Sequence, residues 1–206
     1  MKRGKLIVFE GIDGSGKSTH ADLLRRRLEA DGEKVYLTAE PSEGEAGRLL
    51  RRCLTKEADL PEEAIAGLFM TDRIDHIKNP VFGLLSHLEK GEIILCDRYY
   101  FSSFAYNSIY APMDWVMEIN SVARQLLRPD LTIFLDIDPE SFSLRTEARG
   151  STERYEKVDL LRRVRENYLE AFSRLPNERV TIIDNRGSIE EAAARVYAAV
   201  RGVIDE

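Results

Sequence analysis

Residues 11–19 read Gly11-Ile12-Asp13-Gly14-Ser15-Gly16-Lys17-Ser18-Thr19, the pattern G-x-x-x-x-G-K-[ST]. These residue types suit a polyphosphate. Backbone N–H groups and the N-terminus of a following helix face an anion, and the glycines let the backbone approach it. Lys17 reaches β- and γ-phosphates, and the Ser18 hydroxyl is placed to ligate Mg²⁺. The apolar run Leu6–Phe9 precedes the loop, and a helical pattern with Leu24 and Leu28 on one face follows it. That is the strand–loop–helix context such a loop requires.

Three other groups suit a second substrate. The run Ile93-Ile94-Leu95-Cys96 ends in Asp97-Arg98-Tyr99. An acid at a strand end is placed near Mg²⁺, and an arginine beside it can grip a phosphate through two parallel N–H bonds. Thr132–Asp136 has the same apolar-plus-acid form and reads as the next core strand, a weaker competitor for the metal. Phe69 and Arg73 are four residues apart on a helical pattern, so an aromatic plane and a set of donors share one face, as stacking on a base would need. Arg145, Arg149 and Arg154 surround Gly150 between two helical patterns. A flap there would bring guanidinium groups to a transferring phosphoryl group and exclude water.

Such groups need a scaffold. Apolar runs near Leu6–Phe9, Val35–Thr38, Ile93–Cys96, Leu131–Asp136 and Val180–Ile183 are continuous, which predicts parallel strands covered on both faces. Helical patterns intervene. Pro61 before Glu62-Glu63 starts one with Ile65, Leu68 and Phe69 on a face. Ser188 and Glu191 form a capping box before the stripe Ile189, Ala192, Ala193, Val196 and Val200. The alternation predicts one α/β domain over residues 1–206, a three-layer doubly wound parallel sheet of about five strands flanked by helices. Residues 145–156 are expected to form its mobile lid segment. Ligands then bind beyond the carboxyl ends of the strands, where every group above lies.

The 206 residues carry a net charge of −6, with 43% hydrophobic and 32% charged residues, which argues against a broad nucleic-acid surface. No apolar run approaches the roughly 20 residues of a membrane span, and the start Met1-Lys2-Arg3 is not that of a signal peptide. Cys53 and Cys96 lack metal-ligand spacing, and Cys96 reads as a buried thiol. These features predict a cytoplasmic protein. No N-K-x-D motif follows a strand, which counts against a GTPase. The residues alone leave open a kinase for another small molecule and a nucleotide-dependent switch without an acceptor.

Taken together, the chain resembles the thymidylate (dTMP) kinases along almost its whole length. Phe9–Thr19 is similar to that family's phosphate loop, and Glu40-Pro41 with Arg51 to its E-P…R segment. Leu68-Phe69-x-x-Asp72-Arg73 is similar to its base-stacking helix, and Arg149-Gly150 with Glu153-Arg154-x-Glu156 to its lid. Asp97-Arg98-Tyr99-x-x-Ser102-Ser103-x-Ala105-Tyr106 is the most specific match.

The resemblance implies dTMP and ATP as substrates, Mg²⁺, and a homodimer. It implies that Gly11, Asp13, Gly14, Ser15, Gly16, Lys17, Ser18 and Thr19 hold ATP and that Ser18 and Asp97 serve the metal. It also implies that Phe69 stacks on thymine and Arg73 donates to a base carbonyl. Ser103 and Asn107 approach the other polar edge of the base, Arg51 and Arg98 hold the dTMP phosphate, and Asp13 lies near the sugar 3′-hydroxyl. Glu40 and Ser102 belong to the same substrate site, and Tyr106 crowds the 2′ position. Lys17, Arg149 and Arg154 would stabilise the transferring group, with Asp97 organising Mg²⁺. Gly14 in the loop and arginines in the lid resemble the bacterial-like type. The chain departs from the family pattern at Asn107 (often Gln), Ala39 (often Arg), Ser42-Glu43 (usually Gly-Gly) and Glu147 (Arg in some lids).

Overall fold

The computed structural model describes residues 3–140 and 151–206, the side chains of 151–157 excepted. Five parallel strands form one sheet: β1 (Leu6–Glu10), β2 (Val35–Ala39), β3 (Ile93–Asp97), β4 (Leu131–Asp136) and β5 (Val180–Asp184), in the order β2-β3-β1-β4-β5. The order turns back at β1, so the crevice beyond its carboxyl end is a topological switch point. Register aligns the chemistry there. Phe9 pairs with Asp97, and Asp97 pairs with Ala39, so Glu10, Asp97 and Glu40 reach the same edge.

Successive strand residues point to opposite faces, and each face has its own core. Ile7, Phe9, Leu95 and Ile133 pack on α1 (Lys17–Ala30) and α9 (Ile189–Ile204) through Ala21, Leu24, Leu28, Val196 and Val200. Leu6, Val8, Ile94 and Phe134 pack on the other helices. There Ile77 comes from α3 (Glu62–Lys78), Phe101 and Phe104 from α5 (Tyr100–Tyr106), and Leu161, Val164 and Tyr168 from α8 (Ser151–Arg174). Three shorter helices, α4 (Leu84–Glu89), α6 (Met113–Ile119) and α7 (Ser121–Leu126), complete that layer, and α2 (Glu45–Leu54) packs on α3. The three-layer α/β fold expected from the sequence is the one observed.

Three expectations need correction. Burial on both faces holds for β1, β3 and β4; β2 and β5 are edges, with Leu37 and Ile182 exposed. In α3, Ile65, Leu68 and Phe69 are only half-buried, and the buried face is Ala66, Asp72, Arg73, His76 and Ile77, because this helix turns polar groups inward to a site. On α9 the stripe starts at Ala192 and leaves Ile189 exposed, while Ser188 Oγ does accept the Glu191 N–H. Cys96 is buried as expected. Among the described residues, no helix is long and apolar enough to cross a membrane.

Candidate active site

The phosphate loop joins β1 to α1. Gly11 has φ 149°, and a Cβ there would lie 2.5 Å from Ser15 Oγ and 2.8 Å from the Leu135 carbonyl, so only glycine fits. Gly16, at φ 85°, is the residue from which α1 starts. Lys17 Nζ donates to the carbonyls of Gly11 and Ile12, both at 3.2 Å. Burial, with Arg98 nearby, pushes the Lys17 ammonium down to about 8, against the pull of Asp97, Asp13 and Glu10. Asn185, just past β5, donates to the Ser15 carbonyl at 2.7 Å and meets His20 Nε2 at 3.1 Å, bracing the loop from across the sheet.

Ser18 Oγ donates to Asp97 Oδ2 at 2.7 Å, so the two expected metal groups are together. Asp97 Oδ1 and Ser15 Oγ are buried without a partner among the described residues. An all-oxygen set of this size suits Mg²⁺, which takes one or two protein ligands and keeps waters and phosphate oxygens. No group of three or more His, Cys, Asp or Glu side chains able to hold a metal occurs among the described residues. Thr19 is exposed in the first turn of α1.

Beside the loop lies a cleft of about 830 Å³. Asp13, Glu40, Phe69, Arg73, Arg98, Ser102, Ser103, Tyr106 and Asn107 all line it, which brings together ten expected substrate residues less one. The exception is Arg51, which donates to the Pro41 carbonyl at 2.8 Å and pairs with Glu43 at 3.3 Å outside the main cleft.

Arg73 forms one wall, 1% exposed. Its Nε donates to Glu40 Oε2 at 2.8 Å, and Nη2 lies 2.7 Å from the same oxygen. Its Nη1 donates to Ser103 Oγ at 3.1 Å and to Asn120 Oδ1. The other Glu40 oxygen is 3.2 Å from His76 Nδ1, and His76 Nε2 is 2.9 Å from Thr38 Oγ1. A carboxylate only accepts, so Nδ1 carries a proton and donates to Glu40. Asp72 takes the N–H and the hydroxyl of Ser42 at 2.7 and 2.6 Å, fastening the loop after Glu40 to α3. Burial raises the Asp72 carboxyl in spite of these bonds. The Ser42 departure thus has a structural task.

Arg98 sits opposite, at φ 71°. Its Nη2 donates to Asp13 Oδ1 at 2.6 Å and to Tyr106 Oη at 3.2 Å; its Nη1 donates to Ser102 Oγ at 3.0 Å. Burial opposes its charge, but the oxygens of Tyr106, Tyr168, Asp13 and Glu10 outweigh that and hold the guanidinium above its ordinary value. Burial raises the Tyr106 phenol to about 12. Asn107 is buried at the end of α5, and its Oδ1 has no partner among the described residues.

Arg149 lies outside the described residues, as do residues 145–150 of the expected lid. Arg154 belongs to the first turns of α8, and its side chain is outside the described set. Sequence reasoning missed Glu10, Tyr168, Asp72 as an anchor, His76 and Asn120. Glu10 alone carried a signal, as an acid ending an apolar strand directly before the loop.

A doubly wound sheet with a phosphate loop at its switch point, and a second cleft lined by paired arginines beside it, defines a phosphate-loop kinase acting on a phosphorylated small molecule. A family model described as thymidylate kinase matches residues 9–196. A probable thymidylate kinase of Pyrococcus abyssi is 40% identical over 206 residues, covering 97% of each chain. One from Staphylothermus marinus is 42% identical over 168 residues (81% of this chain, 80% of its own), and one from Methanococcoides burtonii 35% over 209 residues (98% and 99%). The chain belongs to the thymidylate kinase family.

Proposed function

We propose that this chain transfers the γ-phosphoryl group of ATP to dTMP, giving ADP and dTDP, with the following division of labour. The observation that carries the reading is the bond between Arg98 and Asp13, 2.6 Å long, which joins the cleft's phosphate-seeking arginine to the phosphate loop. A monophosphate held at Arg98 lies next to a triphosphate held by the loop.

In the cleft, Phe69 stacks on thymine, Arg73 donates to a base carbonyl, and Ser103 and Asn107 meet the other polar edge; the unpartnered Asn107 Oδ1 supports this. Arg98 binds the phosphate from inside the cleft and Arg51 from its margin. Asp13 and Tyr106 face the sugar, with Tyr106 against the 2′ position. On the loop side, backbone N–H groups from Gly11 to Thr19 hold the ATP phosphates. Ser18 and Asp97 hold Mg²⁺, which when bound neutralises phosphate charge.

An acceptor phosphate oxygen is already anionic near pH 7, so attack in line on the γ-phosphorus needs no strong base. Catalysis rests on positioning and on cations matched to the spreading charge, supplied by Lys17 with Arg149 and Arg154. The chain would work as one domain closed by its 145–156 lid, as a homodimer in the cytoplasm; sedimentation equilibrium tests the dimer.

The test is ADP release from ATP and Mg²⁺ with each monophosphate in turn. We expect a fast rate with dTMP and a slower one with dUMP, since one methyl in an apolar pocket discriminates by about 1–3 kcal/mol. Little release is expected with AMP, CMP, GMP or thymidine. A preference for another monophosphate would overturn the roles of Phe69, Arg73 and Asn107.

A further inference from the structure

Two buried side chains outside the groups assigned above converge on Arg98. Glu10 ends β1 and is fully buried. Its Oε1 accepts the N–H groups of Tyr99 and Ser102 at 2.9 and 3.1 Å. Both donors belong to the first turn of α5, a helix with no side-chain cap of its own, where the Ser102 N–H is shared with the Tyr99 carbonyl at 3.1 Å. Glu10 therefore fastens the turn on which Arg98 sits, a turn that holds a residue other than glycine at φ 71°.

Its other oxygen sets the guanidinium. Ser102 Oγ and Tyr168 Oη lie 2.6 and 2.8 Å from Glu10 Oε2, and 2.8 Å from each other. The two hydroxyls have one hydrogen each for their bonds to the carboxylate and to each other, and each oxygen keeps a lone pair beyond those bonds. Both hydroxyls are left to present lone pairs, and both face Arg98 Nη1, at 3.0 Å from Ser102 and 3.4 Å from Tyr168. Tyr168 comes from α8, packed on α5 and 70 residues away from Arg98. Asp13 and Tyr106 fix the other edge of the guanidinium.

We infer that Glu10 and Tyr168 are positioning residues that hold Arg98 in the orientation that grips the acceptor's phosphate. The inference rests on the proposed role of Arg98. Neither residue lines the cleft, so each acts through Arg98 and Ser102.

Tyr168→Phe in the full-length chain removes one hydroxyl and keeps the ring packed. Calorimetric titration with dTMP and, separately, with thymidine gives the deciding contrast, because only dTMP carries the phosphate. We expect dTMP affinity to fall about tenfold, as for a lost bond to a charged group, with thymidine affinity and KM for ATP unchanged. Equal weakening of dTMP and thymidine would overturn the inference, since that is what general loosening gives. Undiminished dTMP affinity would overturn it as well. Wild-type protein that binds dTMP no better than thymidine would instead remove Arg98 from the phosphate, and the inference with it. If Tyr168→Phe does not fold, Glu10→Gln reads the same contrast, because its amide donates where the carboxylate accepted. The expected and overturning results are then the same.

Discussion

The phosphate loop and the acceptor cleft are neighbours built by opposite means. The loop is one run of residues whose shape follows from backbone conformation, with left-handed Gly14 and Gly16 and with Asn185 bracing it. Its binding groups are backbone N–H donors and the exposed Ser18 and Thr19. The cleft draws on the end of β2, α3 and α5, and its cations are buried against carboxylates and hydroxyls. Loop residues act on a ligand and carry little of the fold. Cleft residues such as Arg73 do both, because a buried charge stripped of its partner destabilises the protein.

The largest effect separating the two regions is expected at Lys17. Lys17→Met lowers kcat about a thousandfold, the scale of losing a preorganised cation on the transferring group. It does not weaken the nucleotide-free fold. In the folded chain burial holds the Lys17 ammonium down at about 8, below its ordinary 10.5. That buried ammonium therefore costs stability in full below about pH 8, and the cost fades as pH rises toward 10.5. Initial rates and a melting curve at pH 7 check both halves; a variant that is slow and also melts earlier would break the contrast.

Arg73→Ala should destabilise by about 3–5 kcal/mol in urea unfolding, because it leaves the Glu40 carboxylate buried without its guanidinium partner. Arg98→Ala should raise KM for dTMP about a hundredfold with KM for ATP unchanged; parallel loss of both affinities would place Arg98 on shared ground. The pH response sharpens the division further. As Lys17 loses its proton, kcat/KM for ATP falls above about pH 8, while dTMP affinity stays level from pH 7 to 9 because a guanidinium keeps its charge. Arg51→Ala comes last. Its pair with Glu43 is exposed on both sides, at 39% and 85%, so urea should register less than about 1 kcal/mol.

The same contrast governs what could be read from the chain. The loop was legible because its residues are contiguous and its chemistry needs fixed spacing. Asp97 and Arg98 were legible because a strand end announces itself. Glu10 and Tyr168 meet across 158 positions, and Asn185 and Ser15 across 170, so no local pattern joins them. Helix α3 misled in another way. Periodicity searches for an apolar stripe, while Asp72, Arg73 and His76 face inward here because partners from β2 and the loop after it, α5 and Asn120 satisfy them. Likewise, Val35–Thr38 and Val180–Ile183 look like inner strands, since an apolar run does not say how many neighbours a strand will have.

If the cleft is assembled by its own buried pairs, it needs no ATP to take its substrate. The most direct measurement is therefore titration of nucleotide-free protein with dTMP by calorimetry, in the absence of ATP and Mg²⁺. The account predicts one saturable site per chain, tighter for dTMP than for thymidine. Binding that appears only after ATP is added, or that ignores the phosphate, would contradict it.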